Sequence, residues 1–144
     1  MDIKLKPLDE QVIVITGASS GIGLATADIA WQNGSKLVLN ARSEETLQEV
    51  VDTINEAGGD AIYVAGDVAN RTDVEALAQA ALEKYGRIDT WINDAGVSIY
   101  GRLDEVSDDD SRRLFETNFW GVVHGSLVAL PHLLKRRCVD QPGQ

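Results

Sequence analysis

Apolar positions along this chain follow two alternating rhythms. Short apolar runs recur at Val12–Ile15, Lys36–Ala41, Ala61–Ala65 and Ile88–Ile92. Each has the length and the Val/Ile/Leu content of a buried strand. Between them the apolar residues fall three and four apart, the repeat of a helix with one buried face. The first helix is predicted from about Gly21 to Asn33, with Ile22, Ala25, Ile29 and Ala30 facing inward. A second opens at Ser43, an N-cap followed by Glu44 and Glu45, where negative charge suits the helix dipole. It presents Leu47, Val50, Val51 and Ile54 and stops at Gly58-Gly59. Thr72 through Glu75 has the form of a capping box. It opens a third helix with Val74, Leu77, Ala78, Ala81 and Leu82 on its face, ending at Gly86. Ser107, followed by three aspartates, is predicted to cap a last, long helix over about 108–136.

Strands that alternate with helices imply a parallel sheet with right-handed crossovers. The expected strand order is 3-2-1-4, half of a doubly wound α/β sheet, with ligands bound beyond the carboxyl ends of the strands. Composition narrows the picture. The 144 residues, 44% of them hydrophobic, are expected to form one domain over 1–144 with a real core. A net charge of −10 argues against nucleic acid and anionic membranes as partners. The single cysteine, Cys138, cannot form an internal disulfide, which points to a cytoplasmic setting. No signal peptide is expected, and the sequence shows no run of about 18 apolar residues to span a membrane. His124 and His132 have no partner at metal spacing, so no metal site is expected. Trp31, Trp91 and Trp120 read as packing residues.

The first strand runs straight into Thr16-Gly17-Ala18-Ser19-Ser20-Gly21-Ile22-Gly23 and then a helix. Strand, glycine turn, helix is the setting of a phosphate-binding loop, because glycine lets an anion approach the backbone and the helix start offers free N–H groups. A glycine turn without a ligand is the alternative. The spacing is Gly-x-x-x-Gly-x-Gly, not the Gly-x-Gly-x-x-Gly of most dinucleotide domains. Written out as TGASSGIG, the stretch resembles the short-chain dehydrogenase/reductase family, and the likeness extends over about 12–137. It implies a Rossmann-type fold and a nicotinamide cofactor, with Gly17, Ser19, Ser20, Gly21, Ile22 and Gly23 around the pyrophosphate.

Further positions carry the resemblance. Arg42 follows the second strand, where NAD enzymes often place an acid for the ribose 2′-OH; no acid occurs here before Glu44. A guanidinium suits a 2′-phosphate instead, which favours NADP over NAD; an exposed surface arginine is the plainer reading. Asp67-Val68 matches the family's adenine contact, although an Asp capping a turn is equally ordinary. Asn93-Asp94-Ala95-Gly96 resembles the family's Asn-Asn-Ala-Gly loop beside the cofactor. Asp94 departs from it, so only Asn93, Ala95 and Gly96 are carried over. Asn118 matches the asparagine that helps hold a water in a proton relay; a polar spot in the core is the alternative.

The resemblance implies an oxidoreductase that moves a hydride between NADP(H) and a carbonyl/alcohol substrate. Its catalytic serine and Tyr-x-x-x-Lys are not found in this sequence. Tyr63, Tyr85 and Tyr100 are each followed four residues on by an aspartate. Residues 138–144 also depart from the family. Their codons, shifted by one base, permit Val or Ala, then Leu, Ile, Asn, a variable residue, Gly and Ser, the look of a fifth strand ending in the family serine. A frameshift that truncates a reductase and leaves 138–144 as an aberrant tail is therefore expected. Two alternatives to the enzyme remain: a catalytically dead NADP-binding fragment, and an inactive fragment completed by a partner. Without a neighbour for the fourth strand, and with Phe115, Phe119, Val122 and Val123 uncovered, self-association is expected.

Overall fold

The computed structural model describes residues 6–139. After a short 3-10 turn, Leu8–Glu10, the chain alternates as expected. Its strands are β1 (Val12–Thr16), β2 (Lys36–Ala41), β3 (Asp60–Ala65) and β4 (Thr90–Asn93). Three helices separate them: α1 (Gly21–Gln32), α2 (Glu44–Glu56) and α3 (Arg71–Tyr85). Beyond β4 lie α4 (Asp108–Phe115), a π turn (Glu116–Trp120) and α5 (Gly121–Val139). The strands form one parallel sheet in the order β3-β2-β1-β4, the half of a doubly wound α/β sheet that the sequence implies. The tail expected at 138–144 lies outside the described residues, apart from Cys138 and Val139, whose backbone continues α5.

Alternation along β1 explains the layering. Ile13 and Ile15 point to one face, where they pack with Leu37, Leu39, Leu47, Val51 and Ile54 beneath α1 and α2. Val12 and Val14 point to the other and meet Val38, Leu77, Ala78 and Ala81 beneath α3, with Val128 and Leu133 of α5 alongside. Successive strand residues face opposite ways, so a strand covered on both sides must be apolar throughout.

Five local expectations are corrected. Ile22, Ala25 and Ile29 of α1 are exposed; Gly23, Ala27 and Ala30 face inward. A Cβ on Gly23 would lie 2.3 Å from the Gly17 carbonyl oxygen, so the helix start sits too close to the turn for large side chains. The third helix begins at Arg71, not Thr72. Asn70 is its cap, accepting the Thr72 N–H at 3.0 Å, and Glu75 pairs with Arg71 one turn away. β4 begins at Thr90, not Ile88, because the Asp89 carboxylate takes the Val12 N–H at 2.8 Å in place of a backbone acceptor. The long last helix carries a π turn. Around it the small residues Thr117, Gly121, Gly125 and Ala129 are buried at intervals of four. A Cβ on Gly125 would lie 2.1 Å from Asn93 Oδ1, so this line of small residues lets α5 lie against β4. Val123, expected on the open side, is half-buried, while Phe115, Phe119 and Val122 are exposed.

Candidate functional site

A cleft of about 710 Å³ opens over the carboxyl ends of all four strands. Its floor is the turn after β1. Gly17 has φ +71°, and a Cβ there would lie 2.8 Å from the Ala95 backbone. Only glycine fits both the left-handed backbone and the close approach. Thr16 ties the same point together: its Oγ1 accepts the N–H groups of Asp94 and Ala95, each at 3.2 Å. The Ala18 N–H donates to the Asn40 carbonyl at 3.0 Å, which joins the turn to β2. Asn40 is itself buried in the strand and donates from Nδ2 to the Val64 and Gly66 carbonyls, holding the ends of β2 and β3 together.

The N-terminus of α1 faces this cleft. Ser43, Asn70 and Ser107 cap α2, α3 and α4 with side-chain hydrogen bonds. Ser20, the N-cap of α1, makes none, and the first turn of α1 holds no acid. Gly21 has φ +57° with nothing within 4 Å of where a Cβ would stand. Free N–H groups, the positive end of a helix and open space above a glycine together fit a phosphate.

Of the residues singled out from sequence, Gly17, Ser19, Ser20, Gly21, Ile22, Arg42, Asp67, Val68, Ala95 and Gly96 line this one cleft. Three do not line it but brace it. Gly23 packs under the turn. Asn93 turns toward α5, accepting Trp91 Nε1–H at 2.9 Å and donating to Ser126 Oγ at 3.3 Å. Asn118 lies in the π turn with its amide committed to the Val97 backbone. Val68 is fixed from behind: its carbonyl lies 3.0 Å from His124 Nδ1.

Sequence reasoning missed Arg113 and Thr117 on the wall of the cleft. Arg113 pairs with Asp67, a contact across 46 positions that no local pattern reveals. Thr117 is buried with an unpartnered hydroxyl, an unused hydrogen-bonding group at the cleft wall. Asn40 left a signal, since an amide inside an apolar run must find partners. Partial burial works against the charged form of Asp67. The hydrogen bond from Arg113, the N–H of Ala69 and the charges of Arg113 and Arg42 outweigh it, so the carboxyl titrates below its ordinary range. Among the described residues no cluster of His, Cys, Asp or Glu is placed to hold a metal, and no helix is long and apolar enough to cross a membrane.

Residues 11–138 match the family model of the short chain dehydrogenases, and the chain belongs to that family. It is 50% identical over 134 residues to the uncharacterized oxidoreductase YxnA of Bacillus subtilis, covering 93% of this chain and 38% of that one. A short chain dehydrogenase/reductase from Burkholderia phymatum, solved in complex with NAD, superposes with a TM-score of 0.89 at 42% identity over 92% of this chain and 47% of that one. The alcohol dehydrogenase of the archaeon Thermococcus sibiricus, complexed with 5-hydroxy-NADP, gives 0.83 at 33% identity over 87% and 54%. The chain thus spans about half the length, or less, of the relatives it matches.

Proposed function

We propose that this short-chain dehydrogenase chain binds NADP(H) in the cleft, as the cofactor-holding part of an oxidoreductase that interconverts a carbonyl and an alcohol. The observation that carries the reading is the open N-terminus of α1, the helix whose cap side chain leaves the first-turn donors to the cleft. When bound, the nicotinamide gives or takes the hydride. The chain's own residues bind and orient. The turn from Gly17 to Ile22 holds the pyrophosphate against the helix start. Arg42 meets the 2′-phosphate with a planar fork. Asp67 accepts from the adenine amino group, and Val68 offers an apolar contact beside it. Ala95 and Gly96 form the wall toward the nicotinamide half. Asn93 and Asn118 hold that wall in place.

Fluorescence titration with NADPH and NADH tests this. NADPH is expected to bind more tightly, and Arg42→Ala to remove most of the difference. Equal affinity in the unaltered chain overturns the NADP assignment.

A second reading, cofactor binding without turnover, is favoured by the tyrosines. None of the three lines the cleft. Tyr85 donates to Asp60 at 2.8 Å; burial first, then that carboxylate, pushes its pKa above the ordinary range, the wrong direction for a general acid/base. Tyr100 stands 95% exposed, and Tyr63 packs against the core under α2. Assay of the 144-residue chain against a panel of aldehydes and ketones separates the two readings. Turnover above background would overturn the second.

A further inference from the structure

Four charged side chains line the cleft: Arg42, Asp67, Asp94 and Arg113. Two of them, Arg42 and Arg113, act on one carboxylate, that of Asp67. Asp67 accepts from Arg113 Nη2 through Oδ2 and from the Ala69 N–H through Oδ1, the latter at 3.0 Å. Arg42 follows the end of β2 and lines the same cleft, and its charge acts on Asp67. Arg113 comes from α4. Only Arg113 is hydrogen-bonded to the carboxylate, and Arg42 makes no hydrogen bond or ion pair among the described residues.

The chemistry of guanidinium gives this asymmetry a consequence. A planar fork takes a carboxylate or a phosphate equally well, and engages one at a time at full strength. With Arg113 holding Asp67, the Arg42 fork stays open to an incoming anion. With Arg113 gone, Asp67 becomes an uncompensated carboxylate beside Arg42. It then occupies that fork and repels a phosphate from the same corner of the cleft.

We propose that Arg113 determines cofactor specificity: by holding Asp67, it keeps Arg42 available to the 2′-phosphate of an adenosine cofactor. The inference rests on the NADP reading of the cleft. Arg113 does not touch the 2′-phosphate in this scheme; it acts through Asp67, which makes it a positioning residue.

The test compares the dissociation constants of 2′,5′-ADP and 5′-AMP on the 144-residue chain, since their ratio isolates the 2′-phosphate from adenine and from the 5′-phosphate. The unaltered chain prefers 2′,5′-ADP. Arg113→Met lowers that preference by about tenfold or more, the effect of one charge-assisted hydrogen bond. Adding Asp67→Asn to Arg113→Met restores it, because the competing charge has been removed; a role of Arg113 in folding alone predicts no such rescue. Arg113→Lys keeps a cation on Asp67 and retains most of the preference. Circular dichroism checks that each variant folds. A preference that survives Arg113→Met, or that Asp67→Asn fails to restore, overturns the role of Arg113 and leaves the NADP reading standing. An unaltered chain that does not prefer 2′,5′-ADP overturns the NADP reading and this inference with it.

Discussion

Asn118 holds Val97 at both ends of its backbone: Oδ1 accepts the Val97 N–H at 2.8 Å and Nδ2 donates to the Val97 carbonyl at 2.7 Å. This two-point clamp joins the π turn to the loop after β4, whose first residues Thr16 fixes through Asp94 and Ala95. The start of the loop is therefore pinned at Asp94, Ala95 and Val97, with Gly96 between the pins. Each group of the Asn118 amide makes one bond here and keeps one further hydrogen-bonding position. Asn118→Ala is expected to cost about 1–2 kcal/mol, two hydrogen bonds at an exposed site. Amide exchange at Val97 should quicken more than exchange in β1. Unchanged protection at Val97 would contradict the clamp.

Gly17 and Gly21 should respond differently to the same substitution. Gly17→Ala combines a left-handed backbone with a Cβ pressed into the Ala95 backbone, and is expected to cost about 2 kcal/mol or more. Gly21→Ala meets nothing and carries only the backbone penalty, about 1 kcal/mol. It does fill the space above the start of α1, so cofactor binding should fall well beyond the loss of stability. Urea unfolding paired with NADPH titration reads both. A Gly21→Ala chain that binds as tightly as the parent would place the pyrophosphate elsewhere.

The Asp67 pKa is depressed in the folded chain, which fixes the sign of its pH dependence. The contribution of its ion pair with Arg113 is fully present above the ordinary carboxyl range. It is lost as pH falls through that range toward the lower folded value. Asp67→Asn should therefore flatten part of the acid limb of stability and leave the neutral and alkaline limbs alike. Denaturant melts at stepped pH check this, and a variant whose acid limb matches the parent's would show that the pair adds nothing to folding.

Phe115, Phe119, Val122, Leu127, Leu130 and Leu134 are all exposed along α4, the π turn and α5, at spacings of three to five residues. Among the described residues β4 pairs only with β1. An apolar stripe of this length beside an open strand edge favours association. The purified chain is expected to sediment as a dimer or larger species at micromolar concentration. Replacing Phe119 and Leu130 with charged residues should shift it toward monomer. A parent chain that sediments as a monomer would show that the stripe stays bare in water.

Much of this molecule is written locally. The strands, the three helices between them and the caps of α2 at Ser43 and of α4 at Ser107 follow from apolar periodicity and from side chains that meet backbone groups a few residues away. The alternation fixed the parallel sheet and its order, and so the side on which a cleft had to open. The glycine turn located the cleft's floor, since glycines between a buried strand and a helix leave few other uses. Whatever depended on two distant segments arriving together lay beyond the sequence. Hydrophobicity alone placed Ile22 and Ile29 inside; the closeness of α1 to its own turn turned them out and put Gly23, Ala27 and Ala30 in. A helical repeat cannot show that a π turn interrupts it, nor that the turn brings Asn118 to Val97. Nor does any spacing in the chain pair Arg113 with Asp67; that contact exists because the fold brings α4 to the turn after β3. Local chemistry decided the elements and the place of the site, whereas packing decided which charges in that site stay free.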